Sequence, residues 1–284
     1  MVIAITGASG FIGNKLSWHF ISAGYQVRSL PRINEGTPSA VLAEYLTGVN
    51  VVINLAGAPI VGRWTSKYKK MIFDSRIITT RKIVEAINLL ELKPALFISA
   101  SAIGIYSQEE EQTEYNFEMA KDYLSEICRY WEEEAKNVVP SVRLAIVRLG
   151  IVLGKNGGAL QRMLPLFRLG VGGKIASGHQ GFSWIHITDL VSAIQFIIEN
   201  PKVSGDFNFT APEVVTNKEF TKVLASVLRR PAIVAVPAFA LKLIFGEGAI
   251  AVTGGQFAPP KRLLAEGFQF SFPELRGALT DIVR

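Results

Sequence analysis

The sequence predicts an α/β fold, a doubly wound parallel sheet followed by a small, mainly helical C-terminal unit. Two observations carry this. Through the first 150 residues, short β-branched apolar runs alternate with amphipathic helical stretches. After Gly150 the alternation gives way to glycine-punctuated loops and then to helical patterns. Strands buried on both faces of a parallel sheet read as continuous apolar runs, which is the pattern here.

In order, strands are expected at Val2–Thr6, Tyr25–Leu30, Asn50–Leu55, Ala95–Ser99 and Arg143–Leu149. Helices are expected over Gly13–Ala23, Thr65–Leu90 and Met119–Asn137, the last with Tyr123, Leu124, Ile127 and Trp131 at helical spacing. Between Arg32 and Asn50 a helix start is read at Thr37-Pro38, Thr as N-cap and Pro at the first helical position. No apolar run supplies a strand before it, so the third strand of the usual series is short or absent. Leu153–Gly158 reads as a loop, and Ile185–Asn200 as a helix capped by Thr188 with Asp189 at its positive end. Further helices are expected near Asn217–Leu228, Ala238–Phe245 and Pro260–Glu266, with Gly267 just past the last. The division that follows is a first domain over 1–200, with a cleft loop inserted near 154–182, and a C-terminal domain over 201–284.

Composition narrows the function classes. The 284 residues are 49% hydrophobic and 19% charged, with mean hydropathy +0.28, enough for a sizeable core and wrong for a disordered chain. The lone cysteine, Cys128, excludes an intrachain disulfide, reads as packing and suits a reducing compartment. His19, His179 and His186 have no metal-ligand spacing, so no metal site is expected. A net charge of +6 is too mild for a nucleic-acid signature. The basic stretch at Lys67, Lys69 and Lys70 reads as a solvated helix face. Met1 is followed at once by the first strand, and the most apolar window, Ala232–Val252, contains Pro237, Lys242 and Glu247. Neither a targeting segment nor a membrane span is read, and a soluble cytoplasmic protein is expected.

The strongest chemical signal is Thr6-Gly7-Ala8-Ser9-Gly10-Phe11-Ile12-Gly13, which closes a strand and opens a helix. Gly7 allows a tight turn, Gly10 lets backbone approach a pyrophosphate, and Gly13 lets helix pack on strand. Ser9, Phe11 and Ile12 complete this dinucleotide-binding turn, and the free N–H groups of the helix start face the phosphates. About twenty residues on, where an NAD site places an acid for the ribose 2′-hydroxyl, positions 26–34 hold none. Arg28 and Arg32 stand there instead, and a guanidinium suits a 2′-phosphate. NADP is therefore expected over NAD, with Arg32 as the contact.

These residues, with Asn54-Leu55-Ala56-Gly57-Ala58-Pro59, Arg63-Trp64-Thr65, Ser75-Arg76, Ser99-Ala100-Ser101-Ala102 and Ser183–Leu190, resemble the extended short-chain dehydrogenase/reductase superfamily. Within it the chain is similar to the "epimerase family" branch, whose bacterial members are sometimes labelled cell-division inhibitors. Val215–Phe220 and Pro259–Leu264 resemble that branch's terminal domain, so the likeness covers nearly the whole chain. It implies a Rossmann domain and a C-terminal domain closing over a cleft. It also implies Leu55, Ala56 and Gly57 beside the adenine ribose, and Ser99 and Ser101 near the nicotinamide.

One feature of the superfamily is missing. Its active members pair a Ser or Thr with Tyr-x-x-x-Lys, the lysine lowering the phenol pKa. None of the seven tyrosines here is followed by Lys four residues on, and Tyr123 has Ile127 in that place. Ser101, polarising a substrate oxygen, and Tyr123, as acid, remain the catalytic candidates. His179, in a glycine-flanked loop, and His186, just before a helix, are the substrate-side candidates, with a structural role the stronger reading for His186. Arg148, ending a core strand, must find an acid or a ligand.

The expected function is an NADP-binding oxidoreductase or epimerase acting on a small carbonyl or hydroxyl compound. The alternative is a catalytically silent nucleotide-binding module that regulates a protein partner. The long helices over Thr65–Leu90 and Met119–Asn137 could form a dimer bundle, as in many superfamily members, which allows for a homodimer.

Overall fold

The computed structural model describes residues 1–284. Its first half comprises β1 (Val2–Thr6), α1 (Phe11–Ser22), β2 (Gln26–Ser29), α2 (Ser39–Leu46), β3 (Val51–Asn54), α3 (Ser66–Asp74), α4 (Ile77–Leu89), β4 (Leu96–Ala102), α5 (Tyr123–Lys136) and β5 (Arg143–Leu149). Then come β6 (Ile151–Gly154), α6 (Gly158–Arg168), β7 (Gly181–Phe182), β8 (Trp184–His186), α7 (Ile187–Glu199), β9 (Gly205–Phe209), β10 (Val215–Thr216) and α8 (Asn217–Leu228). The chain ends with α9 (Ala238–Phe245), α10 (Ile250–Thr253), α11 (Lys261–Ala265) and α12 (Leu275–Val283).

Six strands pair in the order β2-β1-β3-β4-β5-β9, every neighbour parallel. Parallel strands need crossovers, and the helices supply them on both faces. On one face α1 and α7 bury Leu16, Phe20, Leu190, Ile194 and Ile197 against Ile3, Ile5, Ile98 and Val147. On the other, α2, α4 and α5 bury Leu42, Leu46, Ile83, Ile87 and Ala135 against Ala4, Val52, Phe97 and Ile146. Each fully buried Leu, Ile or Phe contributes about 1.5–3 kcal/mol, so these two layers fix the sheet. From β1 the chain crosses to β2 and then returns to β3 on the other side of β1. That reversal opens a crevice outside the carboxyl ends of β1 and β3, the place where such sheets bind ligands.

A separate core gathers Trp184, Phe182, Phe220, Leu224, Leu275 and Leu279, joining α6, α8 and α12 to the short β6–β8 and β7–β10 pairs. The sheet's sixth strand, β9, lies past the boundary at residue 200 that the sequence marks. The expected helix over Thr65–Leu90 is two helices. At the break the Ser75 hydroxyl donates to Ile72 O (3.0 Å) and accepts from Ala58 N–H (2.9 Å), side-chain bonds that compete with the helical ladder. Pro38, not Thr37, caps α2, which follows β2 with no intervening strand. The helix expected from Ile185 begins at Ile187, because His186 and not Thr188 is its cap. Of the loop expected at Leu153–Gly158, Leu153 and Gly154 instead close β6 and Gly158 opens α6, which leaves only residues 155–157 as a turn.

Candidate functional site

A cavity of about 1060 Å³ occupies the crevice. Its walls are the turn after β1 (Thr6, Gly7, Ala8, Ser9), the segment after β2 (Ser29–Gly36), the turn after β3 (Ala56–Pro59) and the faces of α3 and α4.

The β1 turn is shaped by its glycines. Gly7 has φ +68°, and Gly10 N–H closes the turn on Gly7 O at 2.9 Å. A Cβ on Gly13 would lie 2.2 Å from Gly7 O, so only glycine lets α1 pass this close to the turn. Gly10, the N-cap of α1, offers no side-chain cap, which leaves the N–H groups of the first turn free for an anion. Phe11 turns its ring against the Gly154–Gly158 turn, and Ile12 packs into the core, so both serve through backbone position.

The β3 turn is held by a buried polar chain that the sequence reading missed. Thr6 Oγ1 donates to Asn54 Oδ1 (2.7 Å) and accepts from the N–H groups of Leu55 and Ala56. Asn54 Nδ2 donates to Thr80 Oγ1 (2.7 Å), tying β1, β3 and α4 together beneath the cavity. The only available signal was polar residues ending two apolar strands, and their partners lie 26 and 48 residues away.

Of the expected contact residues, Gly7, Ser9, Arg32, Ala56 and Gly57 line the cavity. Arg28 donates to the carbonyls of Tyr45 and Thr47 at the end of α2. Arg32 is left in the cavity with its charge unpaired within the chain. Ser99 and Ser101 are both 1% exposed and face the packed interior. Ser101 Oγ donates to Glu132 Oε1 (2.7 Å), and Glu132 takes two bonds from Arg148, each 2.8 Å. Arg148 also donates to Asp206 (2.8 Å) and to the Tyr106 hydroxyl (2.9 Å), which itself donates to Asn208 Oδ1. Burial works against the Arg148 charge, but Glu132, Tyr106 and Asp206 together hold it above its ordinary value. Arg148 has thus found its acid, and Ser101 belongs to that network rather than to the cavity.

Tyr123, the first residue of α5, donates its hydroxyl to Lys69 O (2.9 Å) and meets Trp64 edge-on at 5.5 Å. Burial, helped by Glu126 and Asp74, raises its pKa above the ordinary value, so it stays a protonated phenol at neutral pH and is no base. A second cavity of about 500 Å³ opens beside it, lined by Lys69, Lys121, Glu126 and Arg129.

His179 is exposed in its loop and is not among the residues lining the large cavity. His186 does not line it either and is 2% exposed, in keeping with the structural role expected for it. Its Nδ1 accepts from Thr188 N–H (3.2 Å), its ring lies on Phe272 at 4.0 Å, and its Nε2 is 3.4 Å from Asp281 of α12. It caps α7 and seats the terminal helix. Burial pulls its pKa below the ordinary value despite Asp281 and Asp189. The unfolded chain therefore takes up the proton first, and this contribution to stability is complete above about pH 6.5 and lost as the pH falls below it. His186→Asn, which keeps a capping side chain, is expected to flatten the loss of stability between pH 7 and pH 5, read by urea unfolding. An unchanged pH slope would remove His186 from the account.

No group of acids, histidines and cysteine is arranged to hold a metal ion, and no helix is long and apolar enough to cross a membrane.

Residues 3–209 match the NAD dependent epimerase/dehydratase family, and residues 236–282 match the domain of unknown function DUF1731. An epimerase family protein of Arabidopsis thaliana chloroplasts is 40% identical across 100% of this chain and 87% of its own length. One from Bacillus subtilis is 36% identical across 100% of this chain and 98% of its own. Among solved structures, a human epimerase family protein crystallised with NADPH superposes with a TM-score of 0.93 at 35% identity, over 99% of each chain.

Proposed function

The chain belongs to the NAD dependent epimerase/dehydratase family, and on that premise we propose that it binds NADP(H) and acts as an oxidoreductase or epimerase-like enzyme on a small carbonyl or hydroxyl compound. The observation that carries this reading is the large cavity, whose walls include both the glycine turn at the uncapped start of α1 and the unpaired Arg32. Donors for a pyrophosphate and for a 2′-phosphate thus border one crevice. The human relative crystallised with NADPH supports the choice of cofactor.

In this reading the glycine turn at Gly7 and Ser9 and the free backbone N–H groups of the first turn of α1 receive the phosphates, Gly10 N–H being held by Gly7 O. Arg32 takes the 2′-phosphate, and Ala56 and Gly57 form the opposite wall. The nicotinamide, when bound, supplies hydride chemistry. Tyr123, kept protonated by burial, is the candidate to donate a hydrogen bond to a substrate oxygen once it exchanges Lys69 O for that partner.

One observation favours the silent binding module instead. Ser101 and Tyr123 both spend their hydroxyls within the chain, so no acid–base pair stands free. Oxidation of NADPH by the purified protein in a metabolite extract separates the two readings, since a silent module leaves NADPH unchanged.

The cofactor assignment is tested by titrating the protein with NADPH and NADH. NADPH is expected to bind about ten- to a hundredfold more tightly, the worth of a charge-assisted hydrogen bond, with Arg32→Ala losing that margin. Equal affinities for the two would remove Arg32 from the site.

A further inference from the structure

We propose that Arg76 is a positioning residue for the pyrophosphate of the bound dinucleotide, an inference that rests on the cofactor reading above. Arg76 stands at the α3–α4 break and is 7% exposed. It donates to Ile72 O (3.2 Å) and to Ala58 O (3.0 Å), both backbone carbonyls. Its guanidinium lies over the Trp131 ring at 5.2 Å. No carboxylate pairs with it, in contrast to Arg148, the other deeply buried guanidinium. The neighbouring face of α5 supplies Ile127, the Cys128 thiol and Trp131, with Tyr123 beyond, and none of its carboxylates pairs with Arg76. A guanidinium has five N–H donors, and a buried cation with no counter-ion is costly. Burial accordingly pulls its pKa down.

What this cation holds is a wall of the cavity. Ser75 Oγ takes the Ala58 N–H and Arg76 takes the Ala58 carbonyl, so the helix break grips the β3 turn at both ends of one residue. On its far side that turn meets the glycine turn, since a Cβ on Gly7 would lie 3.1 Å from Leu55 O. Gly57, between them, has no side chain, and a Cβ there would lie 3.0 Å from the guanidinium carbon. The wall between the Arg76 charge and the cavity is therefore one residue of bare backbone. The turn that leads into the uncapped start of α1 borders the same crevice. These two sources of positive potential, with Asp74 on the cavity lining already paired to Lys70, suit the doubly charged centre of a dinucleotide.

The test uses NADPH and 2′-AMP, which carries the adenine, ribose and 2′-phosphate but no pyrophosphate. Arg76→Met should weaken NADPH by about ten- to a hundredfold while leaving 2′-AMP, measured by calorimetry, unchanged. Arg76→Lys keeps the charge without the two-carbonyl grip, and should recover part of the NADPH affinity and its dependence on salt. Equal losses for both ligands would mark a merely structural role and overturn the proposal. So would wild-type NADPH affinity in Arg76→Met, or a lysine variant as weak as the methionine one. Wild-type protein that binds neither ligand would overturn the cofactor reading, and this inference with it.

Discussion

Gly13→Ala is expected to abolish measurable NADPH binding and to destabilise the fold by about 2–3 kcal/mol, the scale of a severe overpacking change. The added methyl would meet Gly7 O at 2.2 Å, Ala8 Cα at 2.8 Å and Gly7 C at 2.9 Å. All three are backbone, so no side chain can swing aside. Either the turn opens, which breaks the 2.9 Å bond from Gly10 N–H to Gly7 O, or α1 lifts from β1 and uncovers Leu16 and Phe20. Both displace the N–H groups that would receive the phosphates. Gly24, past the other end of α1, is the control: it has φ +82° and nothing within 4 Å of a Cβ. Gly24→Ala should cost about 1 kcal/mol of backbone strain and leave NADPH affinity alone. Urea unfolding and NADPH titration of the two variants decide the matter. Near-normal binding by Gly13→Ala would show that the turn tolerates displacement and is not the phosphate site.

The β1 turn was legible because its signals are local: an apolar strand, three glycines at fixed spacing and a helix. What failed to show depended on distant partners. The α3–α4 break is invisible in Thr65–Leu90, since its cause is Ala58, 17 and 18 residues from Ser75 and Arg76. Strand β9 was missed because Asp206 and Asn208 interrupt the apolar run at Phe207 and Phe209. Those polar residues are there to meet Arg148 and Tyr106, on other elements. Helix α6 was hidden by the glycines around its start and by Pro165 within it.

The two serines of β4 show a subtler limit. The sequence places the strand end at Ser99, whereas β4 runs on to Ala102, and the family resemblance implies that both serines lie near the nicotinamide. Side chains alternate across a strand, so Ser99 and Ser101 share the face of Phe97, which packs beneath α4 and α5. Nothing in the local sequence says which face lies under a helix. Arg28 and Arg32 repeat the lesson, because the carbonyls that occupy Arg28 lie 17 and 19 residues later, at the end of a helix. Arg148 is the opposite case. A buried guanidinium demands an acid on physical grounds alone, and only the identity of that acid required the fold.

That acid carries the second large effect. Glu132→Gln is expected to destabilise the protein by about 3–5 kcal/mol, because it leaves Arg148, 1% exposed, facing a neutral amide. In a chain of this size that corresponds to a fall in Tm of about 5–8 °C. Asp206 cannot compensate in full, since its side chain is 27% exposed and holds only one guanidinium nitrogen. The pair joins α5 to β5, and through Ser101 and Tyr106 it reaches β4 and β9. Its loss should therefore loosen the side of the sheet away from the dinucleotide crevice. Ser101→Ala removes one hydroxyl donor from the Glu132 carboxylate and should cost about 1.5–3 kcal/mol, less than the loss of the carboxylate itself. The double variant Glu132→Leu with Arg148→Met removes both charges together and should be more stable than Glu132→Gln alone. Thermal unfolding of the set, with the NADPH titration beside it, separates a structural network from a catalytic one. If Ser101→Ala instead abolished turnover at unchanged Tm, Ser101 would return to the reaction centre, and the cleft would have to open onto the face now covered by α5.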